Sequence, residues 1–385
     1  MSVDQSGLVP AEGLQQGASL AFDLVDSDGQ LLHKTGTKLD DQLLTALQDR
    51  HIRAVPVSVV ETASVLAGYY PESTVKKTQL SFQKARTSLL RLLASLHEND
   101  ETKLDPVSAS IGEFIVQAKA DIAASLAAIS LNSARPSPKV LENVATHSAN
   151  MALLSVAMSV FQKDEPIVSY HIGLAALLHD SSLLVNCDWF GTAPNARDET
   201  ARKKYRRHPI DSADLFNGVV GIANPVLAFI MEVHEQADGT GYPRGRALAN
   251  VRPGSEILNV ADAYLTLTNP VQGRGMVPPD ALGYLCFHTV KGKFSRETLH
   301  LLTKCLSMYP IGSAVELDDR STAVVVRVNS ESPLKPIVRL LHPGHLEINL
   351  GESNRFISGP YLSGDSRTER LSKSRMNEVL WKTDR

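Results

Sequence analysis

Tyr170-His171-Ile172-Gly173-Leu174-Ala175-Ala176-Leu177-Leu178-His179-Asp180 is the stretch whose reading decides the fold. From Ile172 to Leu178 every side chain is apolar or absent, so the segment reads as a helix buried on nearly all sides. It ends in an imidazole and a carboxylate, which are costly to bury unless paired, hydrogen-bonded or bound to a metal. Adjacent helical positions point about 100° apart. His179 and Asp180 can therefore serve one cluster, the imidazole on one ion and the carboxylate bridging to another. A plainer reading leaves His179 at a helix C-terminus, where the dipole favours a cation, and Asp180 paired with a neighbour. Taken alone, so short a pattern fits the plainer reading better.

Working outward, the same residue types recur in otherwise apolar helices. His147 opens His147-Ser148-Ala149-Asn150-Met151-Ala152-Leu153-Leu154, and His208-Pro209 follows the basic run Arg202-Lys203-Lys204-Tyr205-Arg206-Arg207. His234-Glu235 closes the apolar Val226–Val233 helix, and Asp238-Gly239-Thr240-Gly241-Tyr242-Pro243-Arg244-Gly245 comes directly after. Asp262 lies within Ile257-Leu258-Asn259-Val260-Ala261-Asp262-Ala263-Tyr264-Leu265. Imidazoles and carboxylates placed repeatedly in oily helices are what a buried metal centre in a helical domain needs. Each histidine by itself is an ordinary core or surface residue; the ordered set carries the signal. The basic run, read as a helix, spreads its charges over several faces, most of them solvated.

The chain around this set has 385 residues, enough for two or three domains with ample core. A net charge of -3 gives no global attraction to nucleic acid or anionic membrane. The three cysteines, Cys187, Cys286 and Cys305, are odd in number and far apart. They read as reduced thiols of a cytoplasmic protein rather than a disulfide framework. Met1–Pro10 lacks the basic start and apolar core of a signal peptide. The apolar window Val219–Val233 is interrupted by Asn224-Pro225 and is too short to span a bilayer, so no membrane span is expected.

The organisation follows from pattern and punctuation. Residues 1–62 read as a small α+β domain. In it a strand at 20–25, the turn Asp26-Ser27-Asp28-Gly29-Gln30 and a strand at 31–39 lead to a short helix at 40–47 and a strand at 54–60. Residues 63–134 read as a linker and an αα-hairpin. One apolar stripe runs through Leu89, Leu92, Leu93 and Leu96, the other through Ile111, Phe114, Ile115, Ala118, Ile122, Leu126 and Ile129. Such stripes are core or, less commonly, a homodimer seam. Arg135-Pro136-Ser137-Pro138 marks a boundary, and 135–310 is the helical metal domain. Residues 311–351 read as a small antiparallel β-unit, and 352–385 as a polar tail. The fold class is mainly α, a helical bundle with a small unit on either side.

The order His…His-Asp…His…His-Glu-x-x-Asp-Gly-x-Gly-Tyr-Pro…Asp resembles the HD-GYP family of the HD phosphohydrolase superfamily, over roughly residues 139–310. That resemblance implies an HD-type bundle and a metal-dependent phosphodiesterase hydrolysing the bacterial second messenger cyclic di-GMP to pGpG or GMP. It implies one or two divalent ions, iron or manganese, with zinc also compatible with the mixed donors. By position, His147, His179, Asp180 and Asp262 would hold the first ion, and Asp180 would bridge to a second on His208 and His234. His179 and Asp180 would be the catalytic pair. Asp238, Gly239, Gly241, Tyr242 and Pro243 would form the substrate-facing loop, where a tyrosine ring can stack on guanine. Implied partners are cyclic di-GMP and other signalling proteins, with no nucleic-acid polymer.

Several positions depart from that family. His179-Asp180-Ser181-Ser182-Leu183 has leucine where the family carries a substrate-facing lysine, and Val233 stands where it carries a further histidine. Leu265-Thr266-Leu267 lacks the usual acidic residue, and Asn143 replaces the glutamate of members with a third metal. No third metal is expected. Two readings follow: a phosphodiesterase working with one or two metals, and a domain that keeps its scaffold but acts as a cyclic di-GMP receptor or interaction module. A generic HD nucleotidase is a third, opposed by the Gly241-Tyr242-Pro243 loop.

Overall fold

The structure is a computed structural model that describes residues 8–10, 24–25, 31–33, 37–38, 40, 42–43, 45, 54–56, 65–66, 69–97, 104–132, 139–185, 199–247, 250–271, 275–341, 346–361 and 368–369. They fall into two compact units, one spanning Ser73–Cys305 and the other drawn from Met1–Glu72 and Leu306–Glu369.

The larger unit is helical. Its elements are α1 (Glu72–His97), α2 (Asp105–Ala120), α3 (Ile122–Asn132), α4 (Val140–Phe161), α5 (Pro166–Leu178), α6 (Ser181–Val185), α7 (Glu199–Tyr205), α8 (His208–Leu215), α9 (Asn224–Glu232), α10 (Pro253–Thr268), α11 (Pro278–Val290) and α12 (Arg296–Leu306). Proline opens many of them, including Pro106, Pro209, Pro225 and Pro253, where its missing N–H costs nothing and its φ is already helical. The second apolar stripe, expected to be one helix from Ile111 to Ile129, is two. Asp121 is extended (φ -159, ψ 99), and its Oδ1 accepts the Ala124 N–H at 3.0 Å, which caps a new helix and ends the old one. Both α2 and α3 pack on α4, so they belong to the helical unit itself.

Helix α4 is buried from Val144 through Ser159 apart from Thr146, and α5 is buried from Ile172 to Leu178. Helices apolar on all faces must be surrounded by others. Gly173 lets α5 approach α4 and α2 closely: a Cβ there would lie 2.5 Å from Val156 Cγ2 and 2.9 Å from Ile111 Cγ2. By length and composition Val140–Phe161 and Pro166–Val185 could each cross a bilayer, but 83% and 78% of their apolar windows are buried inside the protein. They are core helices, and they exceed in length the Val219–Val233 window that stood out in the sequence.

The second unit holds a five-stranded antiparallel sheet. With β1 (Leu8–Pro10), β2 (Leu24–Val25), β3 (Leu31–His33), β4 (Ala54–Pro56), β5 (Ala314–Leu317), β6 (Thr322–Arg327), β7 (Ile337–Leu340), β8 (Glu347–Asn349) and β9 (Ile357–Pro360), the order is β9-β5-β6-β7-β8. Its inner face buries Val315, Leu317, Ala323, Val325, Val338, Leu340 and Leu350. Strand β9 comes from the segment read as polar tail. Arg355, just before it, pairs with Asp318 (Nε–Oδ1 2.9 Å) and with Asp319, which holds the edge in register. The expected hairpin is present as β2 and β3, with Leu24 opposite His33. Strand β4 pairs antiparallel with β1, a strand the sequence did not announce. The remaining parts of the expected strands at 20–25 and 54–60 lie outside the described residues.

Candidate metal centre in the helical unit

Six side chains from five places in the helical unit meet at one point. His147 comes from the middle of α4, His179 caps the C-terminus of α5, and Asp180 follows it. His208 opens α8, His234 lies just past α9, and Asp262 sits in α10. Their potential ligand atoms group as His147, His179 and Asp180, and as Asp180, His208 and His234, each group within 4.8 Å. Asp180 is shared: Oδ2 lies 3.3 Å from His179 Nε2 and Oδ1 3.3 Å from His208 Nε2. Asp262 Oδ1 lies 2.9 Å from His147 Nε2, and its Oδ2 3.3 Å from His234 Nδ1. All six expected residues are therefore brought together.

Whether these residues suit a metal ion is decided by their protons. His179 Nδ1 donates to the Ala176 carbonyl at 2.7 Å and His208 Nδ1 to the Tyr205 carbonyl at 2.8 Å. Those bonds turn both Nε2 lone pairs toward the cluster, the orientation metal-ligating imidazoles require. His179 Nε2 is buried and makes no hydrogen bond. His208 Nε2 faces His234 Nε2 at 3.0 Å. The donors fit a divalent cation.

The charges point the same way. Burial opposes a charged His179, but Asp180 and then Asp262 hold its pKa up at about 9. Burial likewise opposes ionisation of Asp180, yet His179 and His208 keep it well below the usual carboxylate range. Asp262 is held down similarly by His147 and His234. Two buried carboxylates make a negative centre; a proton on His179 offsets part of it in the metal-free protein, a divalent ion would take that proton's place, and leaving such charge unpaired costs several kcal/mol.

The loop after α9 is folded onto this centre. Glu235 accepts the backbone N–H groups of Arg244 at 2.7 Å and Arg246 at 2.6 Å, and Tyr242 N donates to His234 O at 3.0 Å. Gly241 has no room for a side chain, since a Cβ would lie 2.2 Å from Gln236 N and 2.4 Å from His234 O. Tyr242 is 6% exposed and stacks on His234, ring centroids 4.7 Å apart. Gly241 and Tyr242 thus brace a cluster histidine, while Asp238 is exposed and Gly239 and Pro243 are half-buried. Asp238 Oδ1 accepts from Thr240 N at 2.9 Å, an Asx turn that shapes the loop.

The departures have structural counterparts. Leu183 is 2% exposed in α6, and Val233 is fully buried. Asn143 donates from Nδ2 to Val271 O at 3.2 Å. The sequence reading missed Glu232, a buried carboxylate in apolar α9. It pairs with Arg246 Nη1 at 3.2 Å and with Arg252, and accepts from Ser255 Oγ at 2.8 Å. A lone glutamate inside Val226–Val233, with arginines flanking the following loop, was the available signal.

Residues 124–296 match the HD domain family. The chain is 26% identical over 197 residues to the cyclic di-GMP phosphodiesterase PA4108 of Pseudomonas aeruginosa, covering 50% of this chain and 47% of that protein. It is 24% identical over 214 residues to the cyclic di-GMP phosphodiesterase PdeB of Borreliella burgdorferi, covering 56% of each. The chain thus spans about half the length of the curated relatives it matches. Among solved structures, Bd1817, a HDG"Y"P protein from Bdellovibrio bacteriovorus, aligns with a TM-score of 0.46 at 18% identity over 78% of this chain and 98% of that one.

Proposed function

We propose that this protein is a metal-dependent phosphodiesterase that hydrolyses cyclic di-GMP to pGpG or GMP. The observation that carries the reading is Asp180, one carboxylate set between two imidazole groups inside the residues that match the HD domain family. His147, His179, Asp180 and Asp262 would hold one divalent ion and Asp180, His208 and His234 a second, with iron, manganese or zinc compatible with the donors. When bound, such ions supply Lewis acidity toward a phosphoryl oxygen and toward water. The protein's own part is to fix the lone pairs through the Ala176 and Tyr205 carbonyls and to brace His234 with Tyr242. The edge of the loop, at exposed Asp238 and half-buried Gly239 and Pro243, would face the nucleotide. The two matched relatives, both named as cyclic di-GMP phosphodiesterases, support the substrate. The reduced-thiol pattern supports a cytoplasmic setting.

A second reading is favoured by Leu183 and Val233, both buried and apolar. They add neither charge nor ligand to the site. A domain that binds cyclic di-GMP with little turnover would have this composition. One experiment separates the two. Purified protein is assayed for bound metal, for cyclic di-GMP affinity by calorimetry, and for pGpG and GMP by chromatography. Metal with product establishes the enzyme, metal with tight binding and no product establishes the receptor, and neither product nor binding removes both.

A further inference from the structure

Asp180 immediately precedes α6 and His208 opens α8, so neither helix alone fixes the 3.3 Å between Asp180 Oδ1 and His208 Nε2. The two helices pack on one another, and a short chain of hydrogen bonds crosses between them at this point. The Ser182 N–H, one of the donors that the first turn of a helix leaves without an internal partner, donates to Ser212 Oγ at 3.0 Å. The Ser212 hydroxyl donates to Ser182 Oγ at 2.9 Å, and the Ser182 hydroxyl donates to the His208 carbonyl at 3.0 Å. Both serines are buried. Ser182 follows Asp180 by two residues, and Ser212 lies one turn after His208. Three bonds therefore tie the segment that bears the carboxylate to the backbone of the imidazole it faces. His208 Nδ1 is also bonded to the Tyr205 carbonyl. That bond sets the rotation of the ring, while the serines set how far the ring stands from Asp180. The other ligand group draws its imidazoles from α4 and the end of α5, which take no part in this chain of bonds.

We propose that Ser182 and Ser212 are positioning residues that hold His208 at the distance from Asp180 at which these two, with His234, take the second ion. The inference rests on the metal-centre reading and deepens it. Two physical features support the assignment. Hydrogen bonds weaken steeply away from straight geometry, so this chain of three is directional, whereas the apolar contact of helix on helix is not. The chain is also satisfied throughout, each member donating once, so the loss of one hydroxyl strands another buried group. Ser212→Ala leaves the Ser182 N–H without its acceptor, and Ser182→Ala removes the side-chain bond to the His208 carbonyl. Either change frees α8 to shift against Asp180.

The test uses the full chain, freed of metal and titrated with manganese(II), as wild type, Ser182→Ala and Ser212→Ala. Ser110→Ala serves as the control, because that hydroxyl is equally buried but bonds the Pro106 carbonyl within α2 at 2.9 Å. Calorimetry counts the ions and gives their affinities, and electron paramagnetic resonance shows whether two manganese ions are coupled through a shared ligand. Melting temperature before loading reports on the fold. Wild type should take two ions. Ser182→Ala and Ser212→Ala should bind the first as wild type does and the second roughly 10-fold more weakly, the cost of about one buried group left unpaired. Their coupled signal should appear only at higher manganese. Ser110→Ala should melt lower with both affinities unchanged. Equal affinity for the second ion in wild type and both serine variants overturns the assignment. So does an equal weakening of both ions, which marks a general loss of structure. Wild type holding fewer than two ions overturns the two-ion reading and the assignment with it, so the wild-type titration tells the two failures apart.

Discussion

Tyr242 lies stacked on His234, with ring centroids 4.7 Å apart and planes 26° from parallel. The loop is therefore part of the centre, because it fixes the orientation of an imidazole whose two nitrogens face His208 and Asp262. Burial, followed by the negative field of Asp262 and Asp180, pushes the Tyr242 phenol well above its ordinary pKa, so it stays protonated. What the stack needs is the ring. Tyr242→Phe should keep melting temperature and bound metal near wild type. Tyr242→Ala should lose about 3–5 kcal/mol of stability, as other buried aromatics do, and bind metal more weakly. Urea unfolding with metal analysis checks both; a weaker centre in the phenylalanine variant would mean that the hydroxyl matters.

Asp180 stands 3.3 Å from both His179 and His208, so its removal should disable both ligand groups together. Wild-type protein should melt at lower temperature after chelation, because a ligand bound only to the folded state stabilises it. Asp180→Ala should carry little metal and should show no further drop when chelator is added. His179→Ala, which removes a ligand from one group only, should carry less metal than wild type and keep part of the response to chelator. Melting curves with and without chelator test this, and a variant that still responds like wild type would show that Asp180 is no ligand.

Helix packing offers a prediction independent of the metal. Gly173 faces Val156 and Ile111, and Val156 is β-branched and stiff, so it yields little to an added methyl. Gly173→Ala should cost about 1–3 kcal/mol through overpacking. Any change in metal affinity should follow from that instability alone. The urea midpoint reports the cost, and an unchanged midpoint would mean that α4 and α5 separate easily.

Much of this was legible from residue types at fixed spacing. His179-Asp180 by itself fitted a plain helix end as well as a metal site, and it was the other histidines and Asp262, polar in oily surroundings, that announced the cluster. What escaped were features set by tertiary contact. The break at Asp121 depends on one side chain turning back to cap Ala124, while the apolar period runs straight through it. Strand β9 is ordered by Arg355 reaching Asp318 across a long separation in sequence. Tyr242 looked like a residue for a ligand to stack on, but its ring already covers His234. Composition identifies such a ring and gives no indication of which partner it takes.

The cysteines give a last prediction, with its pH dependence. Cys305 is 1% exposed, and burial pushes its thiol up to about 12, whereas Cys286 is half-buried and raised for the same reason. At pH 8 a thiol with that pKa is ionised to about one part in ten thousand, and the thiolate is the reactive form. A disulfide reagent at pH 8 should therefore modify Cys286 in the native protein and leave Cys305 untouched until unfolding, as peptide mass mapping would show. The sign for stability follows from proton linkage. The folded state holds the Cys305 proton more tightly than the unfolded chain, whose thiol titrates near about 8.5. Its contribution is complete below that pH and is lost as pH climbs from there toward about 12. A Cys305→Ser variant should therefore lose less stability than wild type between pH 8 and pH 10. Parallel urea titrations at the two pH values measure it, and equal losses would mean that the thiol ionises freely in the fold.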